Sequence, residues 1–228
     1  AGITTYSLNA HGSLVTFALG GEIVVADVDN GSLTSMTSTG AGFDPRLSAD
    51  GRYVSFVVED SLHVVLADGS EPARVLLQGD GKTVTWGSAE FVAAEEMRRS
   101  TGHWWDPNND RLVVARVDVA DVNLWHISAP DDPAQPPQTV RYPAAGTSNA
   151  DVRLWLVDVC DASQIEVIWD RSTHPYLVDV TWEDASPLTV TVQSRDQRSM
   201  RVLEVEESSG DTNPVLDVDD PDWVEIVP

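Results

Sequence analysis

Residues Leu47 to Phe56 read LSADGRYVSF: a polar turn, Ser-Ala-Asp-Gly, that runs into a strand with apolar side chains near every second position. The phrase returns as LNAHGSLVTF from Leu8, WDPNNDRLVVA from Trp105 and WEDASPLTVTV from Trp182. These starts lie 39, 58 and 77 residues apart, so a unit of about 40 residues recurs and gathers insertions. That length suits a four-stranded propeller blade. A β-sandwich would also supply many short strands, but it gives no reason for one turn-and-strand phrase to repeat. Further strand-like runs, among them EIVVADV, LHVVLA, DVRLWLVDV, QIEVIW, YLVDVTW and MRVLEVE, complete an all-β pattern. The expected architecture is part of a β-propeller, about four four-stranded blades.

Two insertions stand out. FVAAEEMRRSTGHWW, Phe91 to Trp105, contains strong helix formers from Ala93 to Arg99, so a short helix is expected near residues 90–100. It carries two adjacent carboxylates, Glu95 and Glu96. SAPDDPAQPPQTVRYPAAG, with prolines at 130, 133, 136, 137 and 143, cannot supply a central strand and reads as an edge, a polyproline-like arm or a loop.

Composition removes several classes of partner. A formal charge of −23 over 228 residues, with pI near 4.2, repels nucleic-acid phosphates and anionic lipid and favours cationic ligands. No window approaches the roughly 18 to 20 apolar residues of a membrane span. AGITTYSLNA has neither a basic n-region nor an apolar h-region, and a single cysteine fits a reducing compartment, so a cytoplasmic protein is expected. Cys160, at the end of LWLVDVC, reads as a small buried side chain.

Neither a complete catalytic constellation nor a GxSxG elbow occurs, so no catalytic residue is assigned. His11, His63, His103, His126 and His174 fall in separate units without metal-ligand spacing, and neither a metal nor a cofactor is expected. Trp104 and Trp105 begin a strand and point to opposite faces; one should pack between blades, and the other is core or a ligand platform. Arg195 and Arg198 flank a turn. For Glu95 and Glu96 two readings stand: surface acids paired with Arg98 and Arg99, or carboxylates gathered on a propeller rim to meet one small ligand.

The motifs FVAAEEMRRSTGHWWDPNND, TVRYPAAGTSNADVRLWLVD, HPYLVDVTWED and TVQSRDQR, in this order and with these gaps, resemble the N-terminal β-propeller domain of the dipeptidyl peptidase IV family. These are serine exopeptidases of the prolyl oligopeptidase superfamily. The likeness covers most of Leu47 to Pro228; the first 45 residues match only as generic blade sequence. It implies an eight-bladed ring of which residues 1–228 supply about half. It also implies a C-terminal α/β-hydrolase domain, outside this sequence, that carries the Ser-His-Asp triad. The resemblance assigns Glu95 and Glu96 the capture of a peptide's protonated amino terminus, and so implies a propeller that gates substrate and anchors it for release of dipeptides. The parent is then an enzyme and the isolated chain inactive.

Family members also hold a substrate carbonyl with an arginine upstream of the double glutamate. No motif places that residue here; Arg46 and Arg52 read as part of a blade turn. The proline-rich arm corresponds to a family dimer contact, so a homo-oligomer is expected. The expected partners are a peptide with a free amino terminus and the hydrolase domain. Two rival readings remain: a non-catalytic propeller scaffold for protein interaction, and a carbohydrate-active propeller with paired acids about 5 to 9.5 Å apart.

Overall fold

The computed structural model describes residues 2–3, 5–36, 40–108, 111–132 and 134–226. Asn109 and Asp110 of the third repeated turn, and Pro133 of the proline-rich stretch, lie outside them. Each repeated phrase is the hairpin joining the first two strands of an antiparallel sheet. The first sheet is β1 (Tyr6–Leu8), β2 (Leu14–Leu19), β3 (Glu22–Asp27) and β4 (Leu33–Met36), paired in that order. The second is β5 (Gly42–Leu47), β6 (Tyr53–Val58), β7 (Ser61–Leu66) and β8 (Arg74–Leu77).

The third sheet has a divided first strand. β9 (Val84–Trp86) pairs with one end of β11 (Arg111–Asp118) and β10 (His103–Trp105) with the other, and between them lies α1 (Phe91–Glu96). A two-stranded ribbon, β12 (Leu124–Ile127) with β13 (Gln138–Arg141), then leaves the sheet before β14 (Asp151–Asp158) and β15 (Gln164–Val167) complete it. The proline-rich stretch therefore forms the ribbon's far loop and its returning strand. The fourth sheet is β16 (Tyr176–Thr181), β17 (Thr189–Gln193), β18 (Ser199–Val205) and β19 (Thr212–Asp219). Four blades are what the repeat predicts, and the short inserted helix lies where the helix formers predict it.

First strands stand beside first strands. The Leu47 amide donates to Ser7 Oγ at 3.2 Å, and Trp105 Nε1 donates to the Arg46 carbonyl at 3.1 Å, joining β5 to the edges of the blades on either side. In a propeller the strands that converge in this way surround the central channel.

The core lies between blades and accounts for the apolar runs. On β6, Val54, Phe56 and Val58 pack toward the first blade with Ile23, Val25 and Met36, while Val57 packs toward the third with Leu112 and Val114. On β11, Leu112 and Val114 face the second blade, and Val113, Ala115 and Val117 face the fourth. Strands buried on both faces carry near-continuous apolar sequence; β19, the outer strand of the last described blade, is almost wholly exposed.

Candidate functional site

α1 leaves and re-enters the first strand of the third blade through a pinch made by two glycines. The Gly87 amide donates to the Ala115 carbonyl at 2.9 Å, the Ala115 amide donates to the Gly102 carbonyl at 2.7 Å, and Ser88 bridges to Thr101. Gly87 has φ +81, and a Cβ on Gly102 would stand 2.5 Å from the Ser88 backbone. Only glycine lets the two chains pass this closely. The broken ladder is thus kept in register on both sides of the helix.

Glu90 caps the helix, its carboxylate accepting from the Val92 and Ala93 amides at 2.5 and 2.8 Å. Burial pushes the Glu90 carboxyl above its ordinary range, against those two bonds and the nearby Arg99. Ala93 and Met97 pack on Val178 of β16. Arg99, 5% exposed, donates to the Thr101 carbonyl at 2.8 Å and the Leu177 carbonyl at 3.1 Å, with its guanidinium 5.9 Å from the Trp104 ring. Burial lowers its pKa to about 10, opposed by Glu90 and Asp179. At the other end Phe91 meets Tyr142 edge-on at 5.3 Å, and Tyr142 meets Trp125 at 5.1 Å, tying the helix to the ribbon.

Glu95 and Glu96 occupy the last turn of α1, both exposed. Among the described residues neither carboxylate has a hydrogen-bond or ion-pair partner, so the pairing with Arg98 and Arg99 that the sequence allows is not made. The negative end of a helix disfavours acidic side chains. Two acids sit there against local preference.

The wall of a cavity of about 530 Å³ begins one residue later, at Met97. Arg46, Arg98, Arg99, Ser100, Thr101 and Asp179 supply its polar lining, and Met97, Val178, Met200, Val202 and Ile226 most of its apolar lining. Arg46 belongs to β5 and not to the turn after it: a register shift between Phe43 and Arg46, with Asp44 at φ +48, turns its side chain to Asp44 at 2.7 Å. Arg52 is exposed, 5.2 Å over the Tyr53 ring, and is not part of this lining. Asp179 and Glu90 were not legible as site residues, since their relation to Arg99 is made by folding.

Both tryptophans pack between blades. Trp105 stacks on Tyr53 with centroids 6.0 Å apart, and Trp104 packs on the opposite face with the third-to-fourth blade core. Cys160 is exposed, contrary to expectation: β14 ends at Asp158, whose carboxylate accepts the Cys160 amide at 2.7 Å and turns the chain outward. Arg195 and Arg198 flank the expected hairpin turn, held by Asp196, and Arg195 donates to the Thr147 carbonyl instead of to an acid. Among the described residues no group of three His, Cys, Asp or Glu could hold a metal ion.

Four blades, their first strands converging and one interrupted by an acid-tipped helix, define part of a β-propeller domain with an inserted helix. The chain belongs to the family described as the dipeptidyl peptidase IV (DPP IV) N-terminal region, whose model matches residues 13–227. Dipeptidyl peptidase 4 of Sus scrofa is 25% identical over 175 residues, covering 70% of this chain and 23% of that protein. Venom dipeptidyl peptidase 4 of Vespula vulgaris is 28% identical over 142 residues, covering 57% and 18%. The crystal structure of Porphyromonas gingivalis dipeptidyl peptidase 4 shares the fold with TM-score 0.82 at 22% identity, covering 97% of this chain and 33% of that one. The chain thus spans between 18% and 33% of the length of these three proteins.

Proposed function

We propose that this chain is the substrate-gating, amine-anchoring part of the propeller of a serine dipeptidyl aminopeptidase, with Glu95 and Glu96 binding the protonated amino terminus of a peptide. The observation that carries the reading is the pair itself: two exposed carboxylates, without a partner among the described residues, at the end of a helix spliced into a channel-side strand. An α-amine with a pKa near 7.7 to 8 is mostly cationic at neutral pH, and each charge-assisted hydrogen bond to it is worth roughly 1.5 to 3 kcal/mol. Holding the amine also sets length. At about 3.3 to 3.6 Å per extended residue, the second peptide bond lies about 7 Å away, where a nucleophile would release dipeptides. That nucleophile belongs, on this reading, to an α/β-hydrolase domain beyond this sequence, so the chain alone is inactive.

The test uses the full-length protein that carries this domain, with a dipeptide arylamide and its N-acetylated counterpart. The free-amine substrate should be turned over at least tenfold faster in kcat/KM. Equal turnover of the two would remove the amine from recognition and leave an interaction scaffold as the better reading.

A further inference from the structure

Burying an arginine is costly unless the charges and acceptors around it offset the lost hydration. Arg99 is 5% exposed, and its guanidinium donates to two neutral carbonyls, those of Thr101 at 2.8 Å and Leu177 at 3.1 Å. Neither bond requires a cation, and a neutral amide could make either one with less desolvation. What sets Arg99 apart is how many parts of the site meet on it.

The chain leaves α1 through Arg98 at φ +55, and the Arg99 amide then donates back to the Ala93 carbonyl at 3.0 Å, which also accepts from the Met97 amide at 3.1 Å. The backbone of Arg99 therefore closes the end of the helix. Its side chain reaches β16 through the Leu177 carbonyl, the glycine pinch through the Thr101 carbonyl, and β10 through the Trp104 ring at 5.9 Å. The acids that act on its charge come from two elements: Glu90, which caps the start of α1, and Asp179 of β16.

Resting on the amine-anchoring reading, we propose that Arg99 is the positioning residue of the anchor, fixing the stance of Glu95 and Glu96 without touching substrate. Ala93 and Met97 hold the helix against Val178, but apolar attraction is non-directional. Hydrogen bonds are directional, and those of Arg99 fasten the segment that follows the two acids to the neighbouring blade. A guanidinium suits the task because its planar fork bonds in more than one direction and it is more weakly hydrated than an ammonium.

The experiment measures, in the full-length protein, the ratio of kcat/KM for a dipeptide arylamide to that for its N-acetylated counterpart, together with Tm. The ratio does not depend on how much enzyme is folded, so a residue that only stabilises the domain leaves it unchanged. Arg99→Met removes the donors and keeps an apolar stem; it should lower the ratio by about tenfold or more, chiefly by raising KM for the free-amine substrate. Arg99→Lys keeps the charge and a donor but loses the fork, and should fall between Arg99→Met and wild type. A lower Tm with an unchanged ratio in Arg99→Met overturns the proposal, and so does a wild-type ratio in Arg99→Lys, which decides the matter if Arg99→Met fails to fold. If Glu95→Gln and Glu96→Gln lower the ratio while both Arg99 variants leave it intact, only the positioning role falls. A wild-type ratio near one removes the anchor and the positioning role together.

Discussion

His103 shows how the site depends on single side chains. It is 1% exposed, its Nδ1 lies 2.8 Å from the Gly87 carbonyl, and the Asp44 carboxylate is 3.9 Å away. Burial holds its pKa below the ordinary value, opposed by Asp44 and the Gly87 carbonyl. The folded protein therefore keeps His103 neutral while the unfolded chain takes up a proton below about pH 6.5. More protons are bound unfolded than folded in that window, so stability falls as pH drops from 6.5, by up to about 1.4 kcal/mol per pH unit for this group. His174 is shifted in the same direction by burial and Arg201 and adds to the slope. Thermal melts between pH 7.5 and 5 should show the loss, and His103→Gln should flatten it; an unchanged slope contradicts the assignment. At this scale the sequence was only partly legible. The double glutamate stood out as two acids in a helical turn amid strands, but a role for it came only from the family resemblance. The bulge that turns Arg46 into the cavity, the inward path of Arg99 and the outward turn at Cys160 depend on contacts or turn geometry that adjacency does not reveal.

The inserted helix stands on its two glycines more than on its own propensity, since six residues are too few for a stable isolated helix. Gly102→Ala would place a methyl carbon against the Ser88 backbone, and overpacking of this kind costs about 1 to 3 kcal/mol. For a chain of this size each kcal/mol lowers Tm by roughly 2 to 4 °C. The melt should show that loss, and on the amine-anchoring reading KM of the full-length protein for free-amine substrates should rise because the pinch positions α1. A variant with native Tm and native KM would mean the two segments are free to separate. The elements themselves were largely readable from sequence: the repeated turns are the first hairpin of every blade, and the helix lies where composition changes. The division of one strand into β9 and β10 was not readable, because three-residue segments carry too little periodicity.

Across the whole molecule the blades at either end differ from those in the middle. Tyr6 and Leu33 of the first blade are 64% and 68% exposed, and Val215 and Leu216 of the fourth are 54% and 53% exposed, whereas β6 is almost wholly buried. The expected outcome is that the isolated chain self-associates, with light-scattering mass rising at micromolar concentration and rising further as salt screens the charge of −23. A monomer under both conditions would show these surfaces to be well solvated. The repeat made four blades legible; how their faces are covered depends on what each blade meets in space. The central claim is that Glu95 and Glu96 hold a peptide's amine, and steady-state kinetics of the full-length protein test it most directly. With free-amine dipeptide substrates, Glu95→Gln and Glu96→Gln should each raise KM, lowering kcat/KM by about tenfold or more, and should reduce the advantage over N-acetylated substrates. Single variants that keep wild-type kcat/KM and the full advantage would contradict the account.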